Sequence, residues 1–454
     1  MKLFGTDGIR GAVNKIPMTP DIIQKVAMAA SQNLIENTQI ACSKQHRPTV
    51  VIGKDTRLSG YMLESALTSG FVSMGIDVML LGPLPTPAVA MLTRTLRAHL
   101  GVMISASHNP FKDNGIKFFD AQGFKLSCEQ EHHIEELTHK GNFSLAAAEN
   151  FGKARRVDDA LGRYNEFVKS SFPKGMRLDG LKIVVDCANG AAYKVAPQVL
   201  WELGADVIAI GNTPDGVNIN LECGATHVES LQSAVIKHQA NIGIALDGDA
   251  DRLIVIDEKG QILDGDQIMA LIAKFWLERG ILKGSGIVAT QMSNLGLERF
   301  LKGKGLQLFR SNVGDKHVLE MMQAKGCNVG GEQSGHIILS DYATTGDGLL
   351  AALQVLALMV AQNIPASEIG HTFEPVPQIL HNIRTQNAVN LNDDRIRCVI
   401  DAASIRLENF GRLLVRQSGT EPLIRIMAQG DDANLLKDVI KNISCTISAM
   451  DKDC

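Results

Sequence analysis

The sequence predicts an α/β protein with three related α/β domains, built on mixed, largely parallel sheets, and a smaller C-terminal α+β domain. The main observation is a unit of apolar strand, polar loop, helix and second apolar strand, which occurs three times along the chain. Strands that alternate with helices are typical of parallel βαβ units. A second observation is the length of 454 residues, which suits three or four domains.

The three units follow one another in order. The first includes TVVIGKDTRLSG and GIDVMLLGPLPTP, the second LKIVVDCANGA and ADVIAIGNTPDG, and the third GIVATQMSN and LQLFRSNVGD. Beyond about residue 375 the connections become polar and rich in Asn, and an amphipathic segment, DDANLLKDVIKNI, lies near the end. We therefore predict domains at residues 1–155, 156–260, 261–370 and 371–454.

Composition and charge exclude several classes of protein. The chain is 45% hydrophobic and 21% charged with a net charge of −4, so we expect neither nucleic acid nor membrane as a partner. The longest apolar stretch, 349–361, contains Gln354 and is shorter than the ~20 residues of a membrane helix. Eight scattered Cys without a C-x-x-C pair, and no signal-peptide core near the first residues, predict reduced thiols and a cytoplasmic location.

The first candidate site is GVMISASHNPFKDNGIKFF, where an apolar strand ends at a loop that contains Ser107 and His108. Loops at the carboxyl ends of strands carry the sites of α/β folds. Pro110 biases the residue before it away from helix, so we expect this loop to be extended and exposed. An exposed Ser beside a His is a candidate nucleophile, and Lys117 follows closely. The alternative interpretation is an ordinary Ser/Asn/Pro turn.

The second candidate site is a row of three carboxylates between two apolar strands. Asp247, Asp249 and Asp251 alternate with small residues, and Arg252 follows them. Carboxylate oxygens suit Mg²⁺ or Ca²⁺ and not Zn²⁺. The flanking strands and the lack of a Glu at the twelfth position argue against an EF-hand, which favours Mg²⁺. The alternative is an acidic hairpin turn.

The third candidate site is VGGEQSGHIILSDYATTGDG, a Gly-rich loop. Glu332, Ser334 and His336 offer the paired donors and acceptors that sugar hydroxyls require. The alternative is a loop without a ligand.

The fourth candidate site is LLVRQSGTEPLIRI, in which a polar loop joins two apolar strands. A guanidinium, two hydroxyls and a flexible backbone suit a phosphate dianion. Its candidate residues are Arg416, Ser418, Gly419 and Thr420, with Arg425 beyond the loop. A hairpin turn with solvated Arg side chains is the alternative. Two smaller Gly-rich clusters, around Arg10 and around Lys54 and Arg57, could be turns or could face an anion.

In their order and in their residues, these motifs resemble those of the α-D-phosphohexomutase superfamily along essentially the whole chain. FGTDGIRG, ISASHNP and GGEQSGH are most similar to the branch that acts on glucosamine phosphates. Relatives that act on glucose and mannose phosphates usually differ at the start and at the position of Gln333. The resemblance implies four domains around a central cleft.

The resemblance also implies catalytic roles. Ser107 would carry the phosphoryl group and contact one Mg²⁺ per chain, which the three Asp residues would hold. Four further residues would serve the reaction. Arg10 and Arg252 would contact the transferring phosphate, and Lys117 and His336 would act as general base and general acid.

Substrate contacts follow in the same way. Glu332 and Ser334 would bind sugar hydroxyls. The phosphate that does not react would be bound by the fourth site, at Arg416, Ser418, Gly419, Thr420 and Arg425. One departure is Lys316 in VGDKH, where relatives commonly carry Arg. Lys cannot reproduce a bidentate guanidinium contact, so Lys316 is not among the candidates.

The expected reaction is the reversible conversion of glucosamine 6-phosphate to glucosamine 1-phosphate, which would feed amino-sugar nucleotide and cell-wall precursor synthesis. It would proceed through phosphoserine and a hexosamine bisphosphate, which would also activate the enzyme. A phosphoglucomutase or phosphomannomutase is the nearest alternative. A phosphatase with an Asp nucleophile and a non-catalytic sugar-phosphate sensor are the others. The expected partner is a small sugar phosphate, and the sequence allows a homodimer.

Overall fold

The computed structural model describes residues 2–5, 7–38, 47–385, 390–408, 410–417 and 423–453. Their strands form four sheets of seven, five, four and three strands, in that order along the chain. We call each sheet with its helices the first, second, third or fourth domain. The predicted fold class, three α/β domains and a C-terminal α+β domain, is confirmed. The proposed boundaries at 155, 260 and 370 stay a prediction, and the first lies within a strand.

The first domain has a mixed sheet in the order β1-β2-β6-β5-β3-β4-β7. Strands β3, β4, β5 and β7 are parallel, whereas β1, β2 and β6 pair in antiparallel fashion. The strands are Phe4–Gly5 (β1), Gly8–Ala12 (β2), Thr49–Lys54 (β3), Asp77–Pro83 (β4), Leu100–Ile104 (β5), Asp113–Asp120 (β6) and Ala154–Arg156 (β7). The helices are Pro20–Thr38 (α1), Gly60–Ser73 (α2), Thr86–Thr95 (α3) and Cys128–Lys140 (α4).

The second domain has the strand order β12-β11-β10-β8-β9, with β8 parallel to β9 and β10. Its strands are Lys182–Asp186 (β8), Asp206–Ile210 (β9), Ile242–Leu246 (β10), Leu253–Asp257 (β11) and Ile262–Leu263 (β12). Its helices are Ala160–Ser170 (α5), Val195–Glu202 (α6) and Glu229–His238 (α7).

The third domain has the order β14-β13-β15-β16, in which β16 alone is antiparallel. Its strands are Gly286–Thr290 (β13), Gln307–Ser311 (β14), Val329–Gly331 (β15) and Ile337–Leu339 (β16). Its helices are Gly265–Glu278 (α8), Leu295–Gly303 (α9), Asp315–Lys325 (α10), Gly348–Gln362 (α11) and Ala366–Ile369 (α12).

The fourth domain has an antiparallel sheet in the order β17-β19-β18. Its strands are Gln378–Arg384 (β17), Gly411–Gln417 (β18) and Leu423–Gly430 (β19). Helices Asp394–Leu407 (α13) and Ala433–Asp453 (α14) contact this sheet. The wholly antiparallel pairing distinguishes this domain from the other three.

One topological position recurs in the first three domains. In each, a parallel strand turns directly into an antiparallel neighbour, at β5–β6, β10–β11 and β15–β16. The connecting loops carry Ser107, the three Asp residues and the Glu332–His336 segment. Each loop contains one residue with positive φ, which is Ser107 at 51°, Ala250 at 57° or Gly335 at 92°. The repeated fold thus places three of the predicted sites at equivalent points.

The hydrophobic core joins the first three domains. One continuous cluster extends from Val51 in β3 to Ile369 in α12, and α11 is buried along most of its length. The apolar stretch 349–361 is therefore a core helix, and its Gln354 amide donates to the Ser171 carbonyl (3.1 Å). The fourth domain packs around a separate cluster between Ile383 and Met450. Among the described residues, no helix has the length and apolar character needed to cross a membrane.

Candidate functional site

Ser107 lies in the loop after β5 in a conformation that the sequence did not predict. The expected loop was extended and exposed, but Ser107 is 1% exposed and has a φ of 51°. A left-handed backbone costs a non-glycine residue roughly 1 kcal/mol or more, so surrounding contacts must hold it. Its N–H donates to Ser105 Oγ (2.9 Å), and its carbonyl accepts from Arg57 and Asn220. The expected exposure was wrong for Ser107, which the second domain covers, whereas residues 110–112 of the same loop are exposed.

The hydroxyl of Ser107 points at the second domain. Its Oγ donates to Asp247 Oδ2 over 2.6 Å and lies 3.3 Å from His108 Nδ1. Burial, together with the nearby cations Arg252 and Arg10, lowers the pKa of His108 to about 4. His108 is therefore neutral near pH 7 and can exchange a hydrogen bond with the hydroxyl without adding charge.

The three Asp residues gather in the turn between β10 and β11. They are buried, and one carboxylate oxygen from each lies within 4.8 Å of the other two. Burial, followed by the charges of Asp251 and Asp249, raises the pKa of Asp247 to about 8. Such crowding of like charges is relieved by a divalent cation.

Two oxygen atoms of this trio support a metal site directly. Among the residues that the structure describes, Oδ1 of Asp249 is buried without a hydrogen-bond donor, and Oδ1 of Asp251 has only His336 Nδ1 at 3.6 Å, beyond hydrogen-bond distance. Buried carboxylate oxygens are normally bonded, because desolvation without a partner is costly. An all-oxygen donor set suits a hard cation, so these residues fit Mg²⁺.

Lys117 on β6 faces the same carboxylates. Its ammonium lies 2.9 Å from Asp249 Oδ2 and 3.3 Å from both Asp251 Oδ2 and Asp7 Oδ2. Burial opposes the charge, but the three carboxylates together raise the pKa of Lys117 well above its ordinary value. Lys117 is therefore an ammonium in this arrangement, and a base role requires that these ion pairs be weakened.

Two guanidinium groups complete the cationic side of the site. Arg10 forms an ion pair with Asp7, and the backbone N–H of Arg252 donates to Asp247 Oδ1 (3.2 Å). The Nε atoms of both Arg residues are buried and lack an acceptor within the described part of the chain. A guanidinium with an unused donor is suited to a phosphate oxygen.

His336 approaches the carboxylates from the third domain. Its Nδ1 lies 3.6 Å from Asp251, and its Nε2 lies 3.5 Å from Asp315. Burial disfavours the imidazolium, but Asp251 and Asp315 outweigh burial and raise the pKa of His336 to about 9. The Gly346 N–H also approaches Nε2 (3.2 Å), a contact that only the neutral ring can accept. The protonated form of His336 is favoured here. If the ring becomes neutral, the Gly346 N–H is placed to donate to Nε2.

The sugar-loop candidates lie together at the end of β15. Glu332 accepts from the Gly314 N–H (3.0 Å) and from Ser334 Oγ (3.2 Å). Ser334 is exposed and Glu332 is half-buried beside it. Gln333, by contrast, donates to Asp264 at the start of α8 (3.0 Å). Gln333 therefore fixes the loop, and Ser334 and Glu332 are the polar groups of the loop that face each other at its surface.

The phosphate-loop candidates are only partly described. Arg416 on β18 and Arg425 on β19 are direct partners in the antiparallel register. Burial and then the neighbouring Arg425 charge lower the pKa of Arg416. Two adjacent guanidinium groups favour an anion. Ser418, Gly419 and Thr420 lie outside the described residues.

Sequence reasoning missed several residues of the site. Asp7 pairs with Arg10, Lys117 and Lys125, and Lys125 also pairs with Asp315. Asp7 stands in the FGTDGIRG motif that was singled out for its Arg, so its carboxylate could have been considered. Lys125 and Asp315 are far apart in sequence, and no local pattern links them.

Arg57, which could have faced an anion, and Lys316, which was not a candidate, both have partners within the protein. Arg57 is 1% exposed and bonds to Asp55 and to loop carbonyls. Lys316 donates to the Leu126 carbonyl (2.9 Å) and lies 3.3 Å from Glu131. Lys316 thus connects the third domain to the first, which accounts for a lysine at a position without a bidentate ligand.

Comparisons with known proteins identify a family for the chain. Family models of phosphoglucomutase/phosphomannomutase match in four parts: alpha/beta/alpha domain I at residues 1–145, domain II at 162–260, domain III at 264–376 and the C-terminal domain at 374–444. A phosphoglucosamine mutase of Rhodospirillum rubrum is 58% identical over 449 residues, 98% of each chain. One of Sphingopyxis alaskensis is 58% identical over 448 residues, 99% of each chain.

Solved structures share the fold at lower identity. A phosphoglucomutase/phosphomannomutase family protein from Burkholderia thailandensis superimposes with a TM-score of 0.82 at 22% identity, over 98% of this chain and 97% of that chain. N-acetylphosphoglucosamine mutase from Aspergillus fumigatus, in complex with GlcNAc-6P and magnesium, gives a TM-score of 0.67 at 18% identity, over 98% of this chain and 95% of that chain.

Proposed function

The chain belongs to the phosphoglucomutase/phosphomannomutase family, and from this premise we propose that it interconverts glucosamine 6-phosphate and glucosamine 1-phosphate. Its relatives over nearly the whole chain are phosphoglucosamine mutases. The alternative of a phosphoglucomutase or phosphomannomutase is not favoured. In reaction class, the protein is an isomerase that moves a phosphoryl group between two hydroxyls of one sugar.

A single contact carries the proposal: the 2.6 Å hydrogen bond from Ser107 Oγ to Asp247. It joins a hydroxyl of the first domain to a buried carboxylate trio of the second. A phosphoryl group on Oγ would lie between this trio and the unused Nε donors of Arg10 and Arg252. Phosphoryl transfer depends mainly on positioning and on groups that offset charge, and both are present here.

In the first half-reaction, the bond between phosphorus and Ser107 Oγ breaks, and a bond to the free sugar hydroxyl forms. The hydroxyl loses a proton, and the serine oxygen gains one. Arg10 and Arg252 orient the transferring group and offset the charge that develops on its oxygens. Mg²⁺ held by Asp247, Asp249 and Asp251, with Ser107, would supply further neutralisation of phosphate charge.

Lys117 and His336 are the candidates for proton exchange. Lys117 lies 3.3 Å from Asp251 Oδ2 and His336 Nδ1 lies 3.6 Å from Asp251 Oδ1, so we propose that they serve the two hydroxyls of the sugar in turn. His336 carries the transferable proton and has a donor ready for its neutral form. Lys117 would act as a base only after losing a proton that its three carboxylate partners now retain.

Two further subsites would hold the sugar. Glu332 and Ser334 would bind its hydroxyl or amino groups, since their side chains are accessible at the end of β15. The phosphate that does not react would be bound in the fourth domain, at Arg416, Ser418, Gly419, Thr420 and Arg425. A bisphosphate then has to turn between half-reactions, so we propose that the fourth domain moves to release and rebind it.

The proposal extends to the cofactor and the cellular setting. One Mg²⁺ per chain and a hexosamine bisphosphate, as intermediate and activator, complete the reaction. The partner is a small sugar phosphate, while a homodimer and the lack of nucleic-acid and membrane partners stay predictions. A cytoplasmic location is supported by free thiols at the six Cys residues that the structure describes.

The test is intact-mass analysis and peptide mapping of the purified protein, followed by an assay with glucosamine 6-phosphate, Mg²⁺ and glucosamine 1,6-bisphosphate. We expect phosphate on Ser107 and formation of the 1-phosphate. Ser107→Ala should fold normally and lose both. Full turnover in Ser107→Ala would refute the serine mechanism and favour a phosphatase with an Asp nucleophile. Turnover with glucose or mannose phosphates alone would keep the mechanism and change the substrate.

A further inference from the structure

Arg57 in the loop after β3 makes an unusual number of contacts with the loop of the reactive serine. Its side chain is fully buried, and its Nε donates to Asp55 Oδ2 (2.8 Å). Its two terminal nitrogens donate to four carbonyl groups between Ser107 and Asp113, the segment that leads from the reactive serine into β6 and that we call the serine loop. These carbonyls belong to Ser107 (2.9 Å), Asn109 (2.8 Å), Pro110 and Asp113 (3.0 Å).

Asn220 reaches the same loop from the second domain. Its Nδ2 donates to the Ser107 carbonyl (2.8 Å) and to the Asn109 carbonyl (3.1 Å). A carbonyl oxygen has two lone pairs, so Arg57 and Asn220 together saturate that of Ser107. The fit is close, because a Cβ at Gly248 would lie 2.5 Å from the Ser107 oxygen and 2.7 Å from Asn220 Nδ2.

We propose that Arg57 and Asn220 are positioning residues for phosphoryl transfer, which act by fixing the peptide plane of Ser107 from two domains at once. Neither touches the reacting oxygen. Ser107 has a backbone that a serine rarely adopts, with a φ of 51°, and that backbone directs Oγ to Asp247. The two donors stabilise it from the carbonyl side, and the Asp55–Ser105 hydrogen bond (2.7 Å) braces the N–H side.

The competing explanation is that these donors only satisfy buried carbonyl groups, as any folded chain requires. The two explanations differ in what they predict for a mild variant. If only burial matters, losing one donor lowers stability and leaves the chemical step unchanged. If positioning matters, the chemical step slows while the protein stays folded. The inference rests on the proposed phosphoserine function.

The variant to test is Asn220→Gly, and its control is Asn189→Gly. Asn220 and Asn189 both have a positive φ, of 57° and 47°, so glycine introduces no strain at either position. Both lie in loops of the second domain near the first domain. The Asn189 side chain bonds to groups of its own domain, Asn218, Thr213 and Cys223. The pair therefore differs in the contact with the serine loop.

The measurement is a single-turnover transfer of phosphate from glucosamine 1,6-bisphosphate to Ser107, followed by intact mass, with thermal unfolding and steady-state KM measured alongside. We expect the transfer rate to fall about 10–100-fold in Asn220→Gly and less than about 3-fold in Asn189→Gly, with KM and unfolding temperature similar in both. Arg57→Lys keeps a charge beside Asp55 but loses the planar guanidinium. We expect its transfer rate to fall at least as far as that of Asn220→Gly.

Equal transfer rates in Asn220→Gly and Asn189→Gly would overturn the inference. A slower rate that merely follows a loss of folded protein would do the same. The wild type serves as the check on the proposed function itself. If wild-type Ser107 accepts no phosphate, the proposed function fails and the positioning role fails with it.

Discussion

The reactive centre and the fourth domain are built in opposite ways. At the centre, buried or largely buried charges cross every boundary among the first three domains: Lys117 to Asp249, Lys125 to Asp315 and His336 to Asp251. The fourth domain has its own hydrophobic core, and the contacts described for it lead mainly to residues 291–299. Chemistry that depends on fixed charges needs the first arrangement, and the phosphate site that we propose in the fourth domain, which has to release its ligand, needs the second.

The contacts of the fourth domain are few and specific. Gln429 accepts from the Leu295 N–H (2.9 Å), and Arg299 forms a two-point ion pair with Asp431. Asn294 exchanges two hydrogen bonds with Val376 in the connecting segment, each of 3.0 Å. These hydrogen bonds and this ion pair are polar contacts, which water can replace if the two domains separate.

The largest effect should come from the centre, in Asp249→Asn. This change removes one of three buried carboxylates and one ion pair of Lys117, so both metal affinity and turnover should fall. We expect turnover to drop about 10²–10³-fold, as for other preorganised electrostatic groups. Mg²⁺ titration by calorimetry and steady-state kinetics measure the two effects. The exposed Asp215→Asn is the control, and an unchanged metal response would remove the trio from the metal site.

Next in size is Lys125→Met, which tests how the first and third domains are held together. It leaves Asp7 and Asp315 without a shared cation in a largely buried place. We expect a loss on the order of 3 kcal/mol in unfolding free energy, measured by chemical denaturation. The control Lys169→Met breaks more exposed ion pairs with Glu166 and Glu202, and should cost less than about 1 kcal/mol. Equal losses would mean that the ion pairs of Lys125 stabilise the fold no more than exposed ion pairs do.

A smaller effect is expected from pH at the junction with the fourth domain. Burial, and then the charge of Asp264, raises the pKa of Asp266 to about 7, and Asp266 accepts the Asn294 N–H (2.7 Å). The unfolded pKa is near 3.9, so the folded form retains this proton more strongly. The wild type should therefore lose stability relative to Asp266→Asn as pH rises from about 4 to about 7. Thermal unfolding of both proteins at pH 5 and pH 8 measures this change in relative stability. The same difference in unfolding temperature between the two proteins at both pH values would contradict the prediction.

The smallest effect should follow Arg299→Ala. The Arg299–Asp431 pair has nearly half of each side chain exposed, so it contributes little in water. We expect less than about 1 kcal/mol in stability and less than about 3-fold in turnover, with Arg177→Ala, which loses a local surface pair, as the control. A large loss in either quantity would show that the fourth domain is held rigidly against the third domain.

The sequence predicted what lies close together along the chain. Three Asp residues at alternate positions between apolar strands predicted a set of carboxylate oxygens for a hard cation, and the structure brings the three together. Their burial was not predicted, because it depends on the first and third domains that cover them. Repeated strand–helix units likewise predicted three α/β domains. Both patterns depend on neighbours in sequence, so periodicity and residue type are sufficient.

The sequence could not predict contacts that depend on how domains meet. Asp315 and Lys125 are 190 residues apart, and nothing local marks them as partners. Arg57 resembled an anion-binding residue because it follows a strand in a Gly-rich segment, yet its partners are carbonyl groups of a later loop. The exposure of Ser107 was misjudged because covering it requires a second domain.

The left-handed backbone of Ser107 also bears on how this protein can evolve. Threonine offers the same hydroxyl, but its branched side chain fits that backbone poorly, so the chemically nearest replacement is conformationally disfavoured. Glycine and asparagine fit it well and carry no nucleophile. A single substitution at Ser107 is therefore more compatible with a folded, inactive protein that still binds ligand than with an enzyme that has a new nucleophile.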